Sequence, residues 1–466
     1  MGSPVSGDAD GIFNGKAEIT IWRVNEVKKH KIAMVSVLLG MSFSSYAALD
    51  AGRVRQVVGD AFPAYLADHK TITEIESPTG NQEGSKKMAG WIKTQFEALG
   101  YSVAFRQNDQ GTHVVASIKG DGTLRVLLLG HTDTVQPVGS LAKQPYGYDE
   151  STGLVKGPGA GDSKASVAQL LYFAKSLNQL GFSNFAEMTF YFDAEEETGS
   201  ATEDEILGEL ARRHDLTLSV DSSPTGWGMN TRRKWVVNYD INVEGLTGHA
   251  GNSAQSSASA TVELASQITR IMALATPLPG EPADYTAEAL KARGIADHGQ
   301  FLPEITINVG TIGTDNTKVN AIPKDARARL DIRGFRSADR DKIDARLKEI
   351  AASPTVRGAK VTLTGPLNAM PAMEKTPQAA RLADIYRGIA HEQYGADVVE
   401  WATGGVSIGN FTSRYIPTID GLGVETSDAH DLENERADVR TFIPRTVVMI
   451  MMLDKVTEEG VIVPAE

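Results

Sequence analysis

The first part of the chain alternates between helix-like and strand-like spacing of apolar residues. Residues 86–100, KKMAGWIKTQFEALG, place apolar side chains three and four positions apart, which predicts an amphipathic helix. Continuous apolar runs such as RVLLLG (125–130) and EMTFYFDA (187–194) predict buried strands. Because such strands alternate with helices between about 50 and 230, we predict an α/β domain whose sheet is covered by helices on both faces.

The pattern changes after the segment TRRK (231–234). WVVNYDINVEG reads as an alternating strand, and it is followed by a helical segment, two further strand segments and another helical segment up to about residue 350. This order is typical of a small α+β sandwich with an open-faced sheet. Since α/β character returns afterwards, we predict that the sandwich is inserted into the larger domain. The predicted division is 1–47 (upstream extension and targeting segment), 48–233 (catalytic domain, first part), 234–345 (inserted domain) and 346–466 (catalytic domain, second part).

Composition narrows the function classes. The 466 residues carry a formal net charge of −13, which argues against a nucleic-acid surface because such surfaces need clustered Lys and Arg. The chain has no cysteine, so disulfides, thiolate nucleophiles and thiolate-bound zinc are excluded. Any metal ion must therefore be held by His, Asp or Glu.

The N-terminal region resembles an export signal. VKKHK (27–31) supplies positive charge, IAMVSVLLGMSF (32–43) is a short apolar run, and small residues follow at Ser45 and Ala47. The run is too short for a permanent membrane span, so we predict a protein exported to the periplasm or secreted, with the mature chain beginning near Ala48. The alternative is an ordinary buried helix. Residues 1–26 are unusual upstream of a signal and suggest an over-extended start, with Val27 as a possible initiator.

Polar residues with metal-binding chemistry follow several predicted strands. In an open α/β sheet, ligands collect at the carboxyl ends of the strands, and imidazole and carboxylate groups suit zinc. The candidates are His131 and Asp133 in LLLGHTDTV, Asp162 in VKGPGAGDSKAS, Glu196 and Glu197 in FYFDAEEETGS, Asp221 in LTLSVDSSP and His430 in GVETSDAHDLENE. Taken singly, each is equally explained as a solvated strand end, a helix N-cap or a polar loop. Their joint occurrence in the α/β part favours a common site.

The acidic cluster after EMTFYF raises a question of role. Adjacent residues on an extended backbone point in opposite directions, so Glu196 and Glu197 can serve two different functions. Asp193 and Glu195 are expected to face solvent or to make supporting hydrogen bonds.

The ordered set of short motifs resembles one family. GHTDTV, GPGAGDSK, EEETGS, SVDSS, GHAG, VNAIP, TGG and AHDLENE, in this order over roughly residues 55–460, are similar to the di-zinc exopeptidases that include aminoacylase, succinyl-diaminopimelate desuccinylase and glutamate carboxypeptidase. The resemblance implies a zinc-exopeptidase catalytic domain, with a mixed sheet flanked by helices, and an inserted α+β sandwich that serves as a dimerisation (lid) domain. It implies two Zn²⁺ per chain, replaceable by Co²⁺ or Mn²⁺. Asp162 would bridge the ions, with His131 and Asp221 on one and Glu197 and His430 on the other. Asp133 would orient His131, and Glu196 would be the general base.

The resemblance also implies residues that contact the substrate. His249 in GLTGHAG would stabilise the oxyanion across a homodimer, Asn320 and Arg333 would bind substrate, and Gly404 and Gly405 would line the pocket. The alternatives are a solvated turn histidine, an exposed strand charge and an ordinary tight turn. Several positions depart from the family pattern around the pocket and leave the specificity open; they are Ala165, Ser166, Trp235 and Ile408.

The implied reaction is hydrolysis of the amide bond to a C-terminal amino acid, as in glutamate carboxypeptidases, with a small peptide or N-acyl amino acid as substrate. Two alternatives within the family are an N-acyl-amino-acid deacylase and a dipeptidase. An alternative of another class is a non-catalytic binding scaffold.

Overall fold

The computed structural model describes residues 48–200, 202–275 and 304–460. Its helices are α1 (Ala51–Asp60), α2 (Phe62–Thr73), α3 (Gln82–Ala98), α4 (Ser140–Lys143), α5 (Ala165–Leu180), α6 (Asp204–Arg213), α7 (Ala260–Met272), α8 (Ser337–Ala351), α9 (Pro377–Tyr394), α10 (Gly409–Thr412) and α11 (Phe442–Glu459). Its first nine strands are β1 (Ser102–Gln107), β2 (Thr112–Lys119), β3 (Arg125–His131), β4 (Gly147–Asp149), β5 (Leu154–Lys156), β6 (Glu187–Asp193), β7 (Leu216–Ser219), β8 (Gly228–Arg233) and β9 (Trp235–Glu244). The others are β10 (Gly248–His249), β11 (Ile305–Gly313), β12 (Ala321–Ile322), β13 (Asp325–Gly334), β14 (Lys360–Met370), β15 (Val399–Thr403), β16 (Thr418–Ile419), β17 (Glu425–Ser427) and β18 (Arg436–Asp438). The predicted export signal lies outside the described residues.

The larger sheet has six strands in the order β1-β2-β6-β3-β7-β16. β1, β2 and β6 pair antiparallel, whereas β6, β3, β7 and β16 run parallel. The register places His131 at the end of β3 beside Asp193 at the end of β6. The carboxyl ends of the parallel strands therefore meet at one edge of the sheet, and the predicted mixed α/β architecture is confirmed.

Helices cover both faces of this sheet, which explains the continuous apolar strands. Along β3, Val126 and Leu128 belong to the same core as residues of α5, whereas Leu127 and Leu129 belong to a second core with residues of α6 and α10. All four side chains are fully buried. Burial of such a side chain contributes roughly 1.5–3 kcal/mol, so the unbroken apolar run is what a strand covered on both sides requires.

The smaller sheet has four antiparallel strands in the order β11-β13-β9-β14, with α7 and α8 packed on it. Its separate apolar core includes Trp235, Leu264 and Leu330. The strand-helix-strand-strand-helix order is as predicted from the sequence. However, β14 pairs with β9 along residues 360–370, so this sheet extends past the predicted boundary at 345/346. The domain division itself stays a prediction.

Two small sheets carry further candidate residues or contact the turn that carries Asp162. β10 pairs with β12 so that His249 lies opposite Ala321, and this two-stranded ribbon carries both His249 and the neighbouring Asn320. β17, β18, β5 and β4 form a further antiparallel sheet, and β18 and β5 both contact the turn Ala160–Lys164. Among the described helices, none combines the length and apolarity needed to cross a bilayer.

Candidate metal centre

The first group of candidate ligands gathers at the carboxyl edge of the larger sheet. His131 ends β3, Asp221 follows β7 by two residues, and Asp162 lies in the turn Ala160–Lys164 that precedes α5, with a non-helical backbone at Asp162 itself. His131 Nε2 is 3.1 Å from Asp162 Oδ1 and 3.5 Å from Asp221 Oδ1. One donor atom from each of the three residues lies within 4.8 Å of the others, which is close enough for a single ion.

The second group shares Asp162 with the first. His430 Nε2 is 3.3 Å from Asp162 Oδ2 and 3.2 Å from Glu197 Oε2. The two oxygens of Asp162 therefore face different histidines, as expected of a carboxylate that bridges two ions. His430 has a φ of 72°, in the left-handed region, and its ring is about half exposed.

Glycine permits the close turn that presents Asp162. Gly159 has a φ of 64°, a backbone conformation that residues other than glycine rarely adopt. A Cβ on Gly161 would lie 2.4 Å from Thr426 Cγ2, so this position also requires glycine. The glycine-rich segment VKGPGAGD thus brings the backbone against the loop region that carries His430.

The charges of the two groups are strongly coupled. Although burial acts to raise it, the pKa of Asp162 is lowered by hydrogen bonds to His131 and His430. Burial raises the pKa of Glu197 to about 7. Hydrogen bonds to Asp162 and Glu197 raise the pKa of His430 to about 11. The ionisation of the carboxylates in the two groups therefore depends on the histidines beside them.

The donor set fits divalent cations. Glu197 Oε1 is buried and has no hydrogen-bond partner among the described residues, although Oε2 faces His430. An unpaired buried carboxylate oxygen is costly, and a cation would satisfy it. Two imidazoles and three carboxylates, with no thiolate in the chain, are the ligand types that bind zinc, cobalt or manganese.

Asp133 links the two groups through hydrogen bonds. Its Oδ1 is 3.4 Å from His131 Nδ1, and its two oxygens accept the backbone N–H groups of Glu196 (3.2 Å) and Glu197 (3.1 Å). Thr79 donates its hydroxyl to Asp133 Oδ2 over 2.6 Å. The backbone carbonyl of Asp133 also lies 3.2 Å from His131 Nδ1, so this buried residue orients the His131 ring through its carbonyl and carboxylate, and its carboxylate holds the turn Glu196–Thr198.

Glu196 lies with the candidate ligands in a cavity of about 510 Å³. The lining residues are Asp162, Glu196, Glu197, Gly199, Asp221, Ser222, Arg233, Arg333, Gly405, Val406, Ala429 and His430. Burial, together with the neighbouring carboxylates of Asp221 and Glu197, raises the pKa of Glu196 well above its usual value. The cavity is therefore large enough for a small substrate beside a carboxyl group that can carry a proton.

The predicted substrate-contacting residues divide into two sets. Arg333 and Gly405 line the cavity, and Arg333 donates to the carbonyl of Gly404 (2.9 Å) and to both oxygens of Asp331. His249 and Asn320 are exposed on the β10–β12 ribbon and are not among the lining residues of the described chain. The structure thus brings together the five candidate metal ligands, Asp133, Glu196, Arg333 and the glycine pair, but not the ribbon residues.

Two further groups at the site were not identified from the sequence. Arg233 is buried, donates to Asp420 and lies 3.4 Å from Asp221 Oδ2. Glu435 is buried and accepts the backbone N–H groups of Gly161 (2.9 Å) and Asp162 (3.2 Å). The sequence does hold a signal for both residues, namely their position. Arg233 lies in TRRK and Glu435 lies in AHDLENE, beside residues already considered for the site.

The chain is similar to known proteins over most of its length. The model of peptidase family M20/M25/M40 matches residues 127–455. Carboxypeptidase G2 of Pseudomonas sp. (strain RS-16) is 27% identical over 436 residues, covering 91% of this chain and 97% of that protein. Succinyl-diaminopimelate desuccinylase of Methylocella silvestris is 26% identical over 354 residues, covering 73% of this chain and 84% of that protein. Among solved structures, an M20 family metallo-carboxypeptidase from Sulfolobus solfataricus superposes with a TM-score of 0.65 at 16% identity, over 84% of this chain and 98% of that one, which supports the fold.

Proposed function

Because the chain belongs to peptidase family M20/M25/M40, we propose that it is a zinc-dependent exopeptidase that hydrolyses the amide bond to a C-terminal amino acid. The observation that carries this proposal is the sharing of Asp162 between two ligand groups, with Glu196 lining the same cavity. A binding scaffold has no need for a candidate base beside two such groups.

We assign His131, Asp162 and Asp221 to one zinc ion and Asp162, Glu197 and His430 to the other. When bound, the ions supply Lewis acidity that acidifies water and polarises the scissile carbonyl. Asp133 holds the His131 ring and the Glu196–Glu197 turn in a fixed position relative to each other during the reaction. Arg233, which lines the cavity, holds Asp221, and Glu435 holds the Asp162 backbone from outside the cavity.

Glu196 acts as the general base and acid. Its carboxylate takes a proton from the attacking water as the oxygen bonds to the carbonyl carbon. The same proton is then given to the nitrogen as the carbon–nitrogen bond breaks. The products are a carboxylic acid and a free amino acid, with Glu196 returned to its starting state.

We propose that His249 completes the site of a second subunit in a homodimer. His249 Nδ1 accepts the backbone N–H groups of Gly251 (3.2 Å) and Asn252 (3.3 Å), which leaves the hydrogen on Nε2. An exposed ring with a donor at Nε2 suits the stabilisation of an oxyanion. Asn320 lies beside it, because the N–H of Ala250 donates to the Asn320 carbonyl over 2.9 Å.

Arg333 is proposed to bind the free carboxylate of the departing amino acid. An arginine has five N–H groups, and Asp331 and the Gly404 carbonyl use three of them in the described part of the chain. The other two can still grip a carboxylate. The similarity to carboxypeptidase G2 favours a glutamate-type substrate, whereas the similarity to succinyl-diaminopimelate desuccinylase keeps N-acyl-amino-acid deacylation as the second candidate.

Localisation follows from the N-terminal segment. We propose that residues 27–47 direct export to the periplasm or the medium and are then removed. N-terminal sequencing of the protein from a secreting host tests this, and a mature chain that retains residues 27–47 would contradict it.

The function is tested by metal content and a substrate panel. The expected results are about two zinc ions per chain, loss of activity with a chelator, and release of free amino acid from N-acyl-glutamate substrates above N-acetyl-amino acids and dipeptides. Glu196→Ala should retain metal while kcat falls by about 10²-fold or more. Arg333→Ala should raise KM for carboxylate-bearing substrates with a smaller change in kcat. A protein that binds no divalent metal, or that hydrolyses none of these amides, would indicate the scaffold alternative.

A further inference from the structure

A second acidic cluster lies behind the turn Glu196–Thr198. Asp193, Glu195 and Glu203 are at most 1% exposed, and the equally buried His113 lies among them. His113 precedes Val114, which pairs with Phe192, so the antiparallel register brings His113 beside Asp193. Of the two roles expected for Asp193 and Glu195, the structure shows supporting hydrogen bonds rather than exposure to solvent.

We propose that His113, Glu195 and Glu203 form a further site for a divalent transition-metal cation such as Zn²⁺, separate from the two groups in the cavity. One donor atom from each residue lies within 4.8 Å of the others. His113 Nε2 is 3.7 Å from Glu203 Oε1, a separation that two ligands of one tetrahedral ion can adopt when each lies about 2.1 Å from the metal.

The tautomer of His113 leaves Nε2 as the ligand atom. His113 Nδ1 is 3.0 Å from Asp193 Oδ1, a distance that places the ring proton on Nδ1 because a bare nitrogen would repel the carboxylate. The N–H of Ala194 also donates towards Nδ1, at 3.2 Å, and competes with a proton there; we assign the proton to Nδ1 because Asp193 is the nearer and charged partner. Nε2 is buried and has no hydrogen-bond partner among the described residues. His131 has the same arrangement, with Asp133 near Nδ1 and ligand carboxylates near Nε2.

The carboxylates are oriented as metal ligands usually are. Asn108 Nδ2 donates to Glu195 Oε2 over 3.0 Å, and the N–H of Thr202 donates to Glu195 Oε1 over 2.9 Å. Tyr191 donates its hydroxyl to Glu203 Oε2, whereas Oε1 faces His113 and also accepts from Thr202 Oγ1 (3.2 Å) and Asn108 Nδ2 (3.4 Å). Such supporting hydrogen bonds fix ligand orientation and are a regular feature of metal sites.

Charge balance also favours a cation. Burial acts to lower the pKa of His113, but the carboxylates of Asp193, Glu203 and Glu195 outweigh it and raise the pKa, and Arg106 Nε lies 3.5 Å from Glu203 Oε1. A cation bound at Nε2 would take the place of the second ring proton. One divalent cation together with Arg106 would neutralise the cluster, and burial of uncompensated carboxylates is otherwise expensive. A cation here would join Glu195, before the turn that carries Glu196 and Glu197, to Glu203 at the start of α6.

The test counts zinc in the full chain with the cavity ligands removed. A variant that combines His131→Ala, Asp162→Ala and His430→Ala removes donors from both cavity groups. After metal stripping and titration with ZnCl₂, we expect this variant to retain about one Zn²⁺ per chain. Adding His113→Gln or Glu203→Gln should abolish that binding. Binding of no zinc by the combined variant, or binding that persists without His113, would overturn the proposal and indicate a protonated His113 instead.

A matched control separates metal binding from damage to the fold. His214 is also buried, but both of its ring nitrogens are hydrogen-bonded, to the Leu210 carbonyl (2.6 Å) and to Thr189 Oγ1 (2.9 Å). His214→Gln should leave the zinc count unchanged. If the His113 variant does not fold, anomalous scattering at the zinc edge from crystals of the otherwise unmodified chain decides the question. A peak about 2.1 Å from His113 Nε2 supports the site, and the lack of one at full zinc loading refutes it.

Discussion

Asp133→Asn provides a sharp test of how the site is held together. The carboxylate of Asp133 accepts from the N–H groups of Glu196 and Glu197 with different oxygens and lies beside His131 Nδ1. Asparagine has nearly the same shape but only one acceptor oxygen. Whichever way the amide turns, its NH₂ group faces a backbone N–H that was hydrogen-bonded before.

The magnitude follows from the lost hydrogen bond. A hydrogen bond to a charged acceptor is worth about 1.5–3 kcal/mol, which corresponds to about 10- to 150-fold in an equilibrium or rate constant. The same range is observed when groups that support metal ligands are replaced, about 10- to 100-fold. We therefore expect the zinc affinity and the kcat/KM of Asp133→Asn each to decrease by about 10- to 100-fold.

Zinc affinity is measured by chelator competition and kcat/KM with an N-acyl-glutamate substrate, with circular dichroism as a check on folding. Thr79→Val is the matched control, because it removes one donor to Asp133 (2.6 Å) and leaves the carboxylate and both backbone contacts in place. Because the backbone and His131 contacts of Asp133 remain, its effect should be smaller than that of Asp133→Asn. If Asp133→Asn binds zinc and turns over substrate as the wild type does, the Asp133 carboxylate does not orient His131 or the turn.

Three other predictions follow from buried contacts. Arg233→Lys cannot reach Asp420 and Asp221 together, so kcat/KM should fall about 10- to 100-fold and the Tm should drop; an unchanged kcat/KM would exclude the positioning role. Stripping zinc should lower the Tm, and zinc at 100 times its Kd should restore about 2.7 kcal/mol; a Tm indifferent to zinc would contradict the metal assignment. Burial lowers the pKa of His69 from 6.5 to about 4. The free energy of unfolding should therefore decrease as the pH falls from 6.5 towards 4, and His69 should account for about 3 kcal/mol of that decrease. Urea unfolding of His69→Gln, which can still donate to the Ala160 carbonyl, should show a correspondingly smaller loss over that range.

The parts of the structure that the sequence predicted are those set by local pattern. Apolar runs ending in His131, Asp193 and Asp221 marked strands covered on both faces, and the polar residues after them had to lie at the sheet edge. The order of elements in the smaller sheet followed from the same periodicities. β14 was not predicted because most of its side chains are exposed or only partly buried. Its pairing with β9 also depends on residues more than a hundred positions away.

Contacts between distant segments could not be read from local pattern. Arg233 reaches Asp420, 187 positions later, and Glu435 accepts from Asp162, 273 positions earlier. Neither residue stands out in its own segment, since a charged side chain beside a polar loop is usually solvated. Only the folded chain shows that both are buried and that both brace candidate metal ligands.

The acids near the end of β6 show why charge compensation decides a residue's role. A buried carboxylate needs a cation or donors, and adjacent acids cannot all share the same one. Glu197 turns towards His430, whereas Asp193 turns towards His113, although only four positions separate the two acids. Glu195 is held by Thr202 and Asn108, and Glu196 lines the cavity with no direct ion pair among the described residues. Each acid is therefore distinguished by the partner that the fold brings to it, and the acid that lines the cavity without an ion pair among the described residues is the one proposed to move a proton.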